Sequence, residues 1–265
     1  MSQQLEMAKR AARAAGRVLL AKMSASRQVH SKGKHDIVTD ADYAADRILR
    51  DMLLARFPRD RFLSEEGDAA ERERLWAQAD ADPDLGLWVI DPLDGTNNYS
   101  RRLHPYCVSV ALYRAGAVQI GAVHDPIRDE LFWAERGQGA FCNGKPIAVS
   151  PVKTLDDAVI AVEWARAQAV RKQTTAVLAR LAQRVLTVRA LGSAALSFCN
   201  IAAGRLDLYI HLSLSPWDVA AAALILEEAG GKVTSPDGAA WSVHSQAYVG
   251  TNGLLHKPVL RYFKR

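Results

Sequence analysis

Apolar residues recur at helical spacing through the first two dozen positions. Leu5, Ala8, Ala12, Ala15 and Leu19 share one side, and Lys9, Arg10, Arg13, Arg17 and Lys22 crowd the rest. The pattern predicts an amphipathic helix to about Met23 with a solvated basic face. Gln28 to His35 is polar and reads as a loop. Helical spacing returns from Tyr43 to Phe57, with Ile48, Met52 and Leu53 facing a core, and Glu71 to Gln78 reads as a short surface helix. From Leu85 to Val149 the texture changes to short branched runs: Leu87 to Ile90, Cys107 to Tyr113, Val118 to Val123, Glu130 to Ala134 and Ala140 to Phe141. Glycines and Asn143-Gly144 separate them, so they read as strands of one sheet. After Ser150-Pro151 strand and helix alternate: Ala158 to Val162, Thr174 to Ala182, Val185 to Arg189, Ala194 to Ala203, Leu206 to His211 and Pro216 to Ala229. Such alternation predicts an α/β half. The change of texture separates 1–150 from 151–265, either within one large domain or as two subdomains sharing a cleft.

Composition narrows the class. At 265 residues the chain can bury a sizeable core. Three widely spaced cysteines form no Cys-x-x-Cys pair, which suits a reducing cytoplasm. Seven scattered histidines show no zinc or di-iron spacing. A net charge of +5 favours anionic substrates and permits weak nucleic-acid association, although no basic run interleaves with aromatics. The Arg-rich start superficially resembles a targeting peptide but continues as an ordinary helix. No apolar stretch reaches membrane-spanning length, so a soluble protein without membrane partners is expected.

The candidate chemistry centres on Trp88-Val89-Ile90-Asp91-Pro92-Leu93-Asp94-Gly95-Thr96-Asn97. A buried strand is expected to stop at Pro92 and Gly95, where two carboxylates stand three residues apart. Asp91 and Asp94 can share or flank a hard cation, Mg²⁺ rather than zinc, and Gly95 lets a phosphate approach the turn N–H groups. The same residues also fit ordinary turn chemistry, with Asp94 capping a short helix. Phe62-Leu63-Ser64-Glu65-Glu66-Gly67 ends a second apolar stretch in acids. Ser215-Pro216-Trp217-Asp218 opens a helix with a capping signature, and Thr39-Asp40-Ala41-Asp42 opens another, so Asp218 and Asp42 each have a purely structural explanation.

Other phosphatase chemistries fit poorly. A haloacid-dehalogenase-type site needs its two aspartates two residues apart. Cys107, Cys142 and Cys199 lack the flanking His and Arg of a cysteine phosphatase, and no nucleophile elbow, nucleotide loop or dinucleotide fingerprint occurs.

Taken together and in order, the four acidic segments and Arg189-Ala190-Leu191-Gly192-Ser193-Ala194-Ala195 resemble the inositol monophosphatase family of lithium-sensitive, Mg²⁺-dependent phosphatases. The strongest matches are Trp88 to Thr96 and Trp217-Asp218-Val219-Ala220-Ala221-Ala222 with Glu228-Ala229-Gly230-Gly231. The resemblance runs from about Ile37 to Gly253. It implies a layered αβαβα sandwich, of the type shared with fructose-1,6-bisphosphatase, and a homodimer.

The resemblance also implies a site. Glu65, Asp91 and the Leu93 carbonyl would hold one Mg²⁺, and Asp91, Asp94 and Asp218 a second. A weakly held third ion would lie near Glu65. Thr96, oriented by Asp42, would position a metal-activated water that attacks phosphorus directly, without a covalent intermediate. Gly95 and Thr96 N–H groups would bind the phosphate, and Gly192, Ser193 and Ala194 would line the alcohol side. The chain departs from the family where a glutamate is typical seven residues before Asp218: it has His211, which puts inositol selectivity in question and predicts broad activity on small esters. Gly192-Ser193-Ala194 also replaces the family's Gly-Thr-Ala, keeping the hydroxyl. Inositol monophosphate is the first substrate expected. Histidinol phosphate, fructose 1,6-bisphosphate or a nucleotide phosphate are alternatives within the fold. An alternative from another class is a regulatory protein that binds RNA or transcription machinery.

Overall fold

The computed structural model describes residues 1–23, 29–33 and 36–263. Helix α1 (Gln3–Met23) leads to a hairpin of β1 (Val29–Gly33) and β2 (Asp36–Thr39), then helix α2 (Asp40–Arg56). Strand β3 (Arg61–Ser64), helix α3 (Ala69–Ala81), strand β4 (Leu87–Asp94) and helix α4 (Thr96–Ser100) follow. Five strands complete a seven-stranded sheet: β5 (Cys107–Arg114), β6 (Ala117–Asp125), β7 (Glu130–Glu135), β8 (Ala140–Cys142) and β9 (Lys145–Pro146). Their spatial order is β3 to β9, with only β3 and β4 parallel.

The rest of the chain alternates as β10 (Val159–Val162), α5 (Gln168–Leu181), β11 (Thr187–Arg189), α6 (Ala194–Ala202), β12 (Leu208–His211), α7 (Pro216–Glu228), β13 (Lys232–Thr234), β14 (Tyr248–Thr251) and α8 (His256–Leu260). The second sheet has the order β11-β10-β12-β14-β13. Its β10–β11 and β10–β12 pairs are parallel, as strand-helix-strand crossovers require.

Alternation along the strands sets the layers. In β4, Trp88 and Ile90 join Leu5, Leu19, Leu49 and Leu53 of α1 and α2, whereas Leu87 and Val89 pack with residues of α6 and α7. The second sheet likewise gives Tyr209 to that middle layer and Ile160, Val162, Leu208 and Ile210 to a third core with α5 and α8. The result is the expected αβαβα sandwich. Helix α7 lies between the sheets and is buried from Val219 to Leu226 without a polar face, which explains its unbroken apolar run. The predicted stripe of α1 is fully buried, with Leu5 and Leu19 each contributing about 1.5–3 kcal/mol.

Several boundaries differ from expectation. Val29–Gly33, inside the segment read as a loop, pairs with β2 and is a strand, because main-chain pairing requires no apolar alternation; Gln28, Lys34 and His35 lie outside the described residues. In α2 the buried line is Ala45, Leu49 and Leu53, with Ile48 only half-buried. Strand β4 runs through Pro92 to Asp94 and does not stop there.

Candidate active site

The passage of β4 through Pro92 positions both aspartates. Asp91 sits opposite Ser109 and Asp94 opposite Cys107, so three steps on β4 match two on β5 and the strand bulges. Pro92 is tolerated at such an interruption of the ladder. In a regular strand residues three apart face opposite sides; across the bulge both acids line one cleft of about 410 Å³.

Glu65 arrives from the neighbouring strand. Ser64 pairs with Ile90 in parallel register and the Glu65 N–H donates to the Ile90 carbonyl at 3.1 Å, so its side chain leaves beside Asp91. Arg72 of α3 steadies the turn, donating to the Glu65 carbonyl at 3.0 Å while its guanidinium lies 4.5 Å over the Trp217 ring. Asp218 comes from the first turn of α7. Its carboxylate accepts the Ser215 N–H at 2.8 Å, the capping bond anticipated from sequence, and also belongs to the cluster. One carboxylate oxygen from each of Glu65, Asp91 and Asp218 lies within 4.8 Å of the others. Burial, then the charges of Glu65, Asp94 and Asp218, push the Asp91 carboxyl well above its ordinary range; burial, then Glu65 and Asp94, do the same to Asp218. Like charges held this close out of water favour a bound cation, and an all-carboxylate donor set fits a hard divalent ion such as Mg²⁺.

Asp94 makes different contacts. Its Oδ2 accepts from Ser193 Oγ at 2.5 Å and the Ala195 N–H at 2.8 Å, and its Oδ1 from the Ala194 N–H at 3.3 Å. It therefore sits at the start of α6, for which Ser193 is the N-cap. Burial raises its carboxyl while these hydrogen bonds oppose the rise. Among the described residues the acids close enough to share one ion are Glu65, Asp91 and Asp218, with Asp94 beside them. Burial, then the charge of Asp94 3.6 Å away, pushes the Cys107 thiol up and favours its neutral form.

Asp42 makes the contacts of a helix cap and also lies against Thr96. Its Oδ2 accepts from the Thr39 N–H at 2.8 Å and Thr39 Oγ1 at 2.6 Å, closing a capping box on α2. Its Oδ1 lies 3.4 Å from Thr96 Oγ1, which also lies 2.9 Å from the Leu93 carbonyl. Burial lifts the Asp42 carboxyl to about 6 against the lowering effect of Thr39. Gly95, with φ of 92°, precedes α4; a Cβ there would stand 2.9 Å from the Pro105 carbonyl oxygen. Gly192, at φ of 81°, lies against the Asn98 amide, which donates to the Leu191 carbonyl at 2.8 Å and joins the two turns.

On the opposite wall His211, the last residue of β12, is buried and lines the cleft. Its Nδ1 accepts the Ser213 N–H at 3.1 Å, and burial pushes the imidazole down to about 4. Gly192 and Ala194 also line the cleft, with Ser193 buried behind them. Glu163, Trp164 and Arg166, just past β10, lie on the same wall and escaped the sequence reading. A usable signal existed: Glu163 directly follows an apolar run, Val159 to Val162, as Asp91 follows Trp88 to Ile90. Burial, then the charge of Asp94, lifts its carboxyl to about 7.

Comparison with known proteins places this geometry. The family profile described as the inositol monophosphatase family matches residues 1–265. Inositol monophosphatase 2 of Solanum lycopersicum is 37% identical over 258 residues, 96% of each chain. Nus factor SuhB of Escherichia coli is 36% identical over 237 residues, 88% of this chain and 85% of that one. The solved structure of an IMPase from Thermotoga maritima superposes with a TM-score of 0.87 at 32% identity, covering 99% of this chain and 97% of the other.

Proposed function

The chain belongs to the inositol monophosphatase family, and on that premise we propose that it is a Mg²⁺-dependent phosphomonoesterase of small phosphate esters, with inositol monophosphate its first substrate. The observation that carries this reading is the convergence of Glu65, Asp91 and Asp218 at a cleft that Thr96 also lines, with Asp42 buried behind Thr96. In this reading residues 1–150 supply most of the ligands and 151–265 close the cleft.

Glu65, Asp91 and the Leu93 carbonyl would hold one Mg²⁺, and Asp91, Asp94 and Asp218 a second. Bound there, the ions supply positive charge for the phosphate oxygens and the departing alkoxide and make a water easier to deprotonate. Thr96 Oγ1 can turn its single proton to the Leu93 carbonyl or to Asp42, leaving lone pairs to orient the attacking water. The water's proton passes to Thr96 Oγ1 as the Thr96 proton passes to Asp42. The N–H groups of Gly95 and Thr96 meet the phosphate at the start of α4. Water displaces the alcohol in line, so no phosphoryl-enzyme forms.

The direct test is phosphate release from inositol 1-phosphate, histidinol phosphate, fructose 1,6-bisphosphate and 2′-AMP, with Mg²⁺, with a chelator and with millimolar lithium. Mg²⁺-dependent, lithium-inhibited turnover supports the reading, and equal turnover in chelator overturns it. Family resemblance also supports a cytoplasmic homodimer, which sedimentation of the purified protein tests for its oligomeric part. The relative named Nus factor SuhB and the net charge of +5 favour a second reading, binding to RNA or transcription machinery. Salt-dependent RNA binding retained in Asp94→Asn is its expected signature.

A further inference from the structure

We propose that Glu163 reads the hydroxyl groups of the substrate alcohol, so that the carboxylate missing from position 211 is supplied by the adjacent strand. The inference rests on the phosphatase reading above and names the alcohol it selects: a polyol or sugar carrying a free hydroxyl near the ester, in preference to a plain alkyl or aryl phosphate.

The strand register brings the two positions together. Ala161 pairs with Tyr209 and Val162 with Ile210 in the parallel β10–β12 ladder, so Glu163 and His211 leave neighbouring strands at the same level. Both line the cleft. His211 cannot replace a carboxylate in kind. Its Nδ1 is occupied by the Ser213 N–H, so the neutral ring carries its proton on Nε2 and has a donor to offer but no second acceptor.

Glu163 has the complementary character. Its Oε1 accepts the Gly192 N–H at 2.9 Å and its Oε2 the Tyr209 hydroxyl at 3.1 Å; Ser197 Oγ, 3.4 Å from Oε1, has a shorter bond to the Ser193 carbonyl at 2.8 Å. A carboxylate offers about four acceptor sites, so the two firm bonds fix its orientation and leave capacity for a ligand. The other acids of the cleft are less suited. Asp94 is engaged by Ser193, Ala194 and Ala195, and Asp91 and Asp218 belong to the cation cluster. A substrate hydroxyl both donates and accepts. Placed on this wall it meets a carboxylate acceptor on residue 163 and an imidazole donor on residue 211.

The test compares kcat/KM for inositol 1-phosphate with that for p-nitrophenyl phosphate, which has no alcohol hydroxyl, in wild type and Glu163→Gln. The ratio of the two values cancels any loss of folded enzyme. We expect it to fall by about tenfold or more, chiefly through KM for the inositol ester, because glutamine keeps one acceptor oxygen, which the Gly192 or Tyr209 bond already uses, and a site built to hydrogen-bond a hydroxyl loses discrimination when its spare acceptor goes. Introducing His211→Glu into Glu163→Gln should restore part of the ratio. Equal losses on both esters would overturn the proposal and leave Glu163 as a support for the Gly192 turn. Equilibrium binding of inositol 1-phosphate against inorganic phosphate gives the same comparison without turnover. If wild type hydrolyses neither ester, the phosphatase reading fails, and an unchanged binding ratio in Glu163→Gln then overturns this inference independently.

Discussion

Asp94 accepts a 2.5 Å hydrogen bond from Ser193 Oγ across 99 residues of chain, and this contact ties the bulged end of β4 to the start of α6. The N–H groups of Ala194 and Ala195 reinforce it where a helix N-terminus favours negative charge. Asp94→Asn removes that charge from the site and should lower kcat by at least about a hundredfold. Ser193→Ala keeps the charge and loosens its placement, so about a tenfold loss is expected, the equivalent of one hydrogen bond. Steady-state assays of both variants decide the point; a Ser193→Ala defect as large as that of Asp94→Asn would mean the hydroxyl has a role of its own.

The carboxylate cluster predicts how metal stabilisation depends on pH. Asp91 and Asp218 have folded-state pKa values raised above their unfolded ones, so the metal-free fold binds extra protons and loses stability as pH rises through the raised values. Mg²⁺ held at the proposed site would keep the acids ionised at no such cost. The rise in Tm on adding Mg²⁺ should therefore be small near pH 5.5 and larger at pH 7.5. Burial pushes His211 and His256 down to about 4, and they destabilise the fold as pH falls from their unfolded range toward that value. Their effect is common to both arms and cancels in the difference. Calorimetry with and without chelator measures it, and a metal-induced shift that shrinks on going from pH 5.5 to 7.5 would contradict the cluster.

Thr96 and Asp42 are expected to act on the attacking water and not on substrate affinity. Thr96→Ala and Asp42→Asn should each depress kcat much more than they change KM. Asp42 also closes the capping box of α2 from its N3 position, so weakening its bonds to Thr39 should cost about 0.5–1.5 kcal/mol of stability, which Thr96→Ala should not. Denaturant titration beside the kinetics separates the two contributions. Raised KM with unaltered kcat in both variants would remove them from the proton-transfer step.

His211 is neutral and buried, and His211→Glu places an acid beside Glu163. The new carboxyl should have a raised folded-state pKa, so the variant should melt lower than wild type at pH 7.5 and the deficit should narrow toward pH 5. Its selectivity for inositol 1-phosphate over glycerol 2-phosphate should rise, because a second acceptor then faces the alcohol. Paired melting curves and competitive kinetics test both statements, and unchanged selectivity would place residue 211 out of reach of the substrate.

Much of the molecule was legible from pattern alone. The 3.6-residue spacing of Leu5, Ala8, Ala12, Ala15 and Leu19 determines the buried side of α1, and the unbroken apolar run after Asp218 determines a helix with no exposed face. The order of the acidic segments, with Gly95-Thr96 and Gly192-Ser193-Ala194, was sufficient to identify the family, because these are local signatures of turns and caps. What linear spacing could not carry was pairing. A bulge at Pro92 exists only against β5, so the different placements of Asp91 and Asp94 depend on a strand beginning at Cys107. Asp42 and Asp218 each had a purely structural explanation at a helix start, and the fold adds a second neighbour to each, Thr96 for Asp42 and the Glu65–Asp91 pair for Asp218, because tertiary contacts reach a carboxylate that a cap already uses. The place of Glu163 in the site was hidden for the same reason: an acid after an apolar run marks a candidate, but its neighbours Gly192, Tyr209 and His211 lie far along the chain and meet it only when β10 and β12 align.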